Sequence, residues 1–240
     1  IENWKVDGGV LQTNTGPIEF FEQPWYNLGI WIHSKVVFDR LLVADGGLVP
    51  TGCSACESYD LADDGMSLTF KLRDGLTWHD GDDFTVEDVA WSIRTAIKAP
   101  RTHSVVGNTV NSIKGAAAFK DGSTDDVSGI KYNIADGSIT LEMATLDPNI
   151  LTTFSQFAIL PKHALEGVDV MQLQNSDFWQ MPIGSGPFKI EEVKMNDFAK
   201  LVPFDNYHGG TANFDIIAYP SFDGDGNLIK NAAAGKMDYG

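Results

Sequence analysis

Between Ser67 and Ile97 the chain spells out a strand, two tight turns and a capped helix in one unbroken run, which limits the fold more than any other stretch. Leu68, Phe70 and Leu72 alternate with Ser67, Thr69, Lys71 and Arg73, the period of a strand with one buried face. Asp74-Gly75 and Asp80-Gly81 predict turns, because glycine enters positive φ without a Cβ clash. Thr85 stands where an N-cap belongs, with Glu87 and Asp88 in the first turn, where carboxylates meet the positive end of the helix dipole. Val86, Val89, Ala90, Ile93 and Ile97 then recur at helical spacing, and Pro100 ends the helix. Taken by itself the run is a well-formed α+β segment.

Other segments carry weaker versions of the same signals. Gly8 to Asn14 reads as an opening strand. Leu28, Ile32, Val36 and Leu42, with Trp31 and Phe38 on the same side, predict a helix, and Gly46 to Pro50 a loop. A small helix is expected around Asn111 to Phe119. A hairpin should run from Gly129 to Ile134, turn at Asp136-Gly137 and return over Ser138 to Met143, with Ile139, Leu141 and Met143 inward. Phe214 to Tyr219 has the look of a buried strand, and Asn227 to Ala234 of a short helix.

Charge removes one class of function. With 17 Lys and Arg against 33 Asp and Glu the net charge is −16, and no basic cluster exists to bind phosphate, so nucleic acid is excluded as a partner. Such acidity keeps a protein dispersed; a role in attracting cationic ligands is the sharper alternative. No apolar run approaches the eighteen or so residues of a membrane span.

Chemical motifs are sparse. Cys53-Ser-Ala-Cys56 lies in a loop entering a strand, without the strand-to-helix setting of a redox pair or the second pair of a zinc site. A small structural disulfide or two free thiols both fit. His33, His79, His103, His163 and His208 are isolated, with no metal-ligand spacing among them, so no metal and no cofactor are expected. From Asp223, the Asp-Gly-Asp-Gly-Asn run places Leu228 and Ala234 where a calcium loop needs Gly and Glu. Gly184-Ser185-Gly186 lacks the outer glycines of a hydrolase elbow, Ile183 and Pro187 standing there. Glu87/Asp88 and Asp82/Asp83 read as capping charge and turn. Nothing here makes an enzyme.

The wording of the opening run nevertheless points to a family. Thr69-Phe70-Lys71-Leu72-Arg73, Trp78-His79-Asp80-Gly81 and Thr85-Val86-Glu87-Asp88-Val89 resemble, in order and spacing, the signature of the extracellular solute-binding proteins that serve oligopeptide, dipeptide and nickel ABC importers. Phe38-Asp-Arg-Leu-Leu42, Ala158-Ile-Leu-Pro-Lys-His163, Gly184-Ser-Gly-Pro-Phe-Lys-Ile190, Lys200 to Tyr207 and Gly235-Lys-Met-Asp-Tyr239 resemble further signatures of that family.

That resemblance implies an α/β fold: a periplasmic-binding-protein-like main lobe with a mixed sheet, interrupted by an inserted smaller α+β subdomain. Residues 1–45 and 176–240 would form the main lobe and 46–175 the insertion. Family members continue beyond the Gly235–Tyr239 point into a second large lobe, absent here, so a cut or truncated form is expected. The implied function is capture of peptides or similar small solutes outside the membrane by lobe closure, with delivery to ABC permease subunits. The implied protein is a monomer, in the periplasm or lipid-anchored to the outer face of the cell membrane. A ligand-sensing receptor module, or a nickel- or haem-type binder on the same scaffold, is the alternative.

Pro17 to Tyr26 is the candidate contact segment, with four aromatics and two carboxylates in an order too irregular for a helix face. Aromatic surface with a few polar groups is how small-ligand clefts are built. Glu19, Phe20, Phe21, Glu22, Trp25 and Tyr26 are therefore candidate ligand contacts, together with Ser185; Phe20, Phe21 and Trp25 fit equally well as core beneath the first helix.

Overall fold

The computed structural model describes residues 9–15, 24–26, 32–194, 197–220, 233–235 and 238. In chain order the strands are β1 (Val10–Thr15), β2 (Leu42–Ala44), β3 (Pro50–Cys53), β4 (Cys56–Leu61), β5 (Ser67–Leu72), β6 (Ile130–Asn133), β7 (Ser138–Glu142), β8 (Phe188–Lys194), β9 (Phe198–Pro203) and β10 (Asp215–Pro220). The α-helices are α1 (Ile32–Val37), α2 (Val86–Lys98), α3 (Ser104–Asn111), α4 (Ala116–Lys120), α5 (Ile150–Gln156) and α6 (Lys162–Leu165).

Two four-stranded sheets organise these elements. The first has the order β1-β10-β9-β8 and is mixed: β1 runs parallel to β10, whereas β10, β9 and β8 pair antiparallel. The second, β4-β5-β7-β6, is antiparallel throughout. All four strands of the second sheet come from residues lying between β1 and β8, so the chain leaves the mixed sheet after its first strand and returns with β8. One contiguous core joins both regions, from Leu68, Phe70 and Ile139 to Phe188, Leu201 and Ile216.

The alternation of β5 is expressed in full: Leu68 and Phe70 are wholly buried and Leu72 nearly so. Phe70 meets Phe154 of α5 edge-on with ring centroids 5.3 Å apart. Ile139 and Leu141 of β7 continue this apolar face, while Thr69 and Thr140 bond through their hydroxyls at 2.9 Å on the other. Thr85 caps α2 as a complete capping box: its Oγ1 accepts from Glu87 N, and Asp88 accepts from Thr85 N at 2.9 Å.

Three local expectations need correction. The first helix stops at Val37, and Leu42 belongs to β2, paired with Cys53. The reason is that Gly186 N donates to Val37 O at 2.8 Å, taking a carbonyl a continuing helix would use. The helix expected at Asn111 to Phe119 is two helices, α3 ending at Asn111 and α4 starting at Ala116. Gly115 at φ +83° and the Ile113–Met143 bridge break it. Pro50 to Cys53 forms a strand, so the Cys-Ser-Ala-Cys segment links two strands. The short helix expected at 227–234 lies mostly outside the described residues.

Candidate functional site

Of the candidate contacts, Glu19, Phe20, Phe21 and Glu22 lie outside the described residues. Trp25 has no exposed surface: it stacks on Phe157 at 5.2 Å and 6°, and its indole N–H donates to Ala158 O at 2.8 Å. Its own carbonyl accepts from His103 N at 2.7 Å. Buried aromatics with a polar edge find such partners, and here the partners come from residues far along the chain. Tyr26, the next residue, is partly exposed, with the Arg101 guanidinium 5.2 Å from its ring centroid, a cation–π spacing. Ser185 is 4% exposed, and its hydroxyl is buried without a hydrogen-bond partner. In this conformation Trp25 and Ser185 offer no surface to a ligand; Tyr26 does.

The wall against which Trp25 packs is the buried stretch 153–161, held from two sides. Ser92 of α2 accepts from Leu160 N at 3.0 Å, and Asp88 accepts from Lys162 N at 3.0 Å. Asp88 thus serves two backbones, and burial raises its carboxyl pKa against those stabilising bonds. From the other side, Arg40 bridges to Ala158, and Ile159 N donates to Asp39 O at 3.2 Å.

Asp39 is the centre of a polar knot. Its Oδ1 accepts from Ser54 Oγ at 2.6 Å and from Arg40 N at 2.7 Å, while its Oδ2 lies 2.6 Å from His208 Nε2. Burial first, and then the Asp39 carboxylate, push the neighbouring Tyr207 phenol up to about 12. Serine, aspartate and histidine meet here in a different order from a Ser-His-Asp triad: the serine bonds to the carboxylate and not to the imidazole, so the imidazole is not placed to activate it. The knot fastens the end of α1, the disulfide loop and the loop after β9 to one another. Cys53 and Cys56 are joined as a disulfide that closes the loop carrying Ser54.

His79 makes a second clasp. Gly184 N donates to its Nδ1 at 3.2 Å, so Nδ1 is the acceptor and the proton sits on Nε2, which donates to Gly186 O at 2.9 Å. Burial lowers the His79 pKa to about 4, which matches this neutral tautomer. The Gly184–Gly186 crossing lies against α1 so closely that a Cβ on Gly184 would strike the carbonyl of Val37, and one on Gly186 that of Val36. Reading the sequence missed both clasps. The Trp78-His79-Asp80-Gly81 and Gly184-Ser-Gly-Pro motifs were each visible, but nothing local says that one grips the other across 105 residues.

Comparison with known proteins fits this architecture. The model of the bacterial extracellular solute-binding proteins, family 5 (middle), matches residues 54–240. The oligopeptide-binding protein AppA of Bacillus subtilis is 27% identical over 187 residues, 78% of this chain and 32% of its own length. The AppA structure in complex with a nonapeptide superposes with a TM-score of 0.80 at 23% identity, over 97% of this chain and 44% of that one. NikZ of Campylobacter jejuni, solved with Ni(L-His), gives a TM-score of 0.75 at 23% identity, over 97% of this chain and 42% of that one. The chain thus spans about a third of the curated relative's length and has the periplasmic-binding-protein fold of these structures.

Proposed function

The chain belongs to the bacterial extracellular solute-binding proteins, family 5, and from that premise we propose that the protein carrying it is the substrate-binding component of an ABC importer. It captures a peptide or similar small solute outside the cytoplasm and hands it to permease subunits. The family match over residues 54–240 carries this reading. The Cys53–Cys56 disulfide supports an oxidising, extracytoplasmic setting. The protein works as a monomer, lipid-anchored to the outer face of the membrane or free in a periplasm. The main lobe comprises residues 1–45 and 176–240, and the inserted subdomain 46–175.

Ligand binds where the main lobe meets a second lobe, and closure around it creates the form the permease recognises. Tyr26 is a contact residue in this proposal, as are Glu19, Phe20, Phe21 and Glu22, with Trp25 as the buried prop that fixes the backbone of Tyr26. Thermal-shift screening of the full-length protein tests the function, because a ligand raises stability as the logarithm of its concentration over Kd. Peptides should raise the melting temperature, and Tyr26→Ala should shrink that rise. A response to nickel chelates alone would favour metal uptake, and a response to neither would overturn the reading.

A further inference from the structure

Asp80, Asp82 and His163 each bring one donor atom to within 4.8 Å of the other two. We propose that they bind a divalent transition-metal ion of the zinc type, at a site independent of solute capture. His163 Nε2 lies 2.9 Å from Asp80 Oδ2 and 3.7 Å from Asp82 Oδ2. Metal–ligand bonds of about 2.1 Å set neighbouring donors about 3.0 Å apart at right angles and about 3.4 Å apart at tetrahedral angles. The two measured spacings bracket that range.

A histidine–aspartate ion pair explains Asp80 but leaves Asp82 unexplained. Among the described residues no Lys or Arg lies within ion-pair distance of either carboxylate, so two negative charges face a single imidazole. Even a protonated His163 leaves one charge uncompensated, and like charges this close repel. A dication removes that surplus. One imidazole with two carboxylates suits zinc, cobalt or manganese better than calcium, which prefers oxygen alone, or copper(I), which prefers sulfur.

The donors are held in place from outside the trio. Gly81 at φ +98° makes the turn, which Trp78 N closes onto Asp82 O at 2.8 Å. Asp82 N donates to Asp80 Oδ1, which leaves Oδ2 for the metal. His163 sits in the first turn of α6, anchored one residue earlier by the Asp88–Lys162 bond, and its ring lies against Trp78. The side chains are 30% (His163), 34% (Asp80) and 64% (Asp82) exposed, open enough for water to complete the coordination. A bound ion would pin the turn to α6 across 83 residues of chain.

Full-length protein prepared without a histidine tag and stripped with chelator is the sample for the test. It is titrated with zinc by calorimetry and with cobalt by visible absorption. One equivalent should bind and raise the melting temperature. Asp82→Asn should weaken binding about tenfold or more while leaving the metal-free melting temperature unchanged, since Asp82 is exposed; His163→Gln should abolish it. No binding at millimolar zinc, or binding that neither variant alters, would overturn the proposal, and peptide binding has no bearing on either result.

Discussion

His79 makes the clearest demand on solution conditions. In the folded chain its imidazole is neutral, with a pKa lowered to about 4 chiefly by burial; in the unfolded chain it titrates near 6.5. Between those values the unfolded state binds the proton and the folded state does not, so stability rises with pH. This contribution is fully present above pH 6.5 and is lost as pH falls through that window toward 4. It amounts to about 2 kcal/mol between pH 7 and pH 5. Urea unfolding at the two pH values should report that difference in the wild type. His79→Gln should flatten it; an unchanged slope in the variant would assign the effect to other groups. At the same scale, the Thr85 cap was legible because its partners are neighbours in sequence. The second duty of Asp88 was not, because Lys162 lies 74 residues away.

At the scale of elements, the strongest constraint is the crossing of 184–186 over α1. Glycine is required there by space, since neither Gly184 nor Gly186 has a positive φ. Gly184→Ala should destabilise the chain by about 2 kcal/mol or more, because the obstacle is a backbone carbonyl that cannot rotate away. Chemical denaturation measures this, and a loss below half that size would mean that α1 shifts to accommodate the methyl. Strand and helix types were mostly readable from periodicity, as β5, α2 and the β6–β7 hairpin attest. Boundaries were less so. The apolar spacing from Leu28 to Leu42 is helical throughout, yet α1 ends at Val37 because the chain at Gly186 claims its carbonyl. The same limit applies to α3 and α4, where Gly115 was visible but the Ile113–Met143 bridge was not.

For the whole molecule, the proposed lobe closure sets the expectation. A ligand shifts an open–closed equilibrium only through contacts that differ between the two states, and under the proposed function those contacts come from both lobes. The 240-residue chain, which covers about a third of its curated relative's length, should therefore bind the solute weakly or not at all in isolation. Calorimetry on the isolated chain and on the full-length protein checks this, and submicromolar binding by the chain alone would refute it. Local patterning dictated the element types and the capped helix, because turns, caps and periodicity act between residues a few positions apart; the family came from the resemblance of the motifs and not from these patterns. The tertiary fold alone placed Trp25 in the interior, linked His79 to the glycine crossing and gathered Asp39, Ser54 and His208 into one knot. Those are hydrogen bonds and packing contacts between distant segments. Which donor finds which acceptor is settled only when burial makes every unpaired polar group costly.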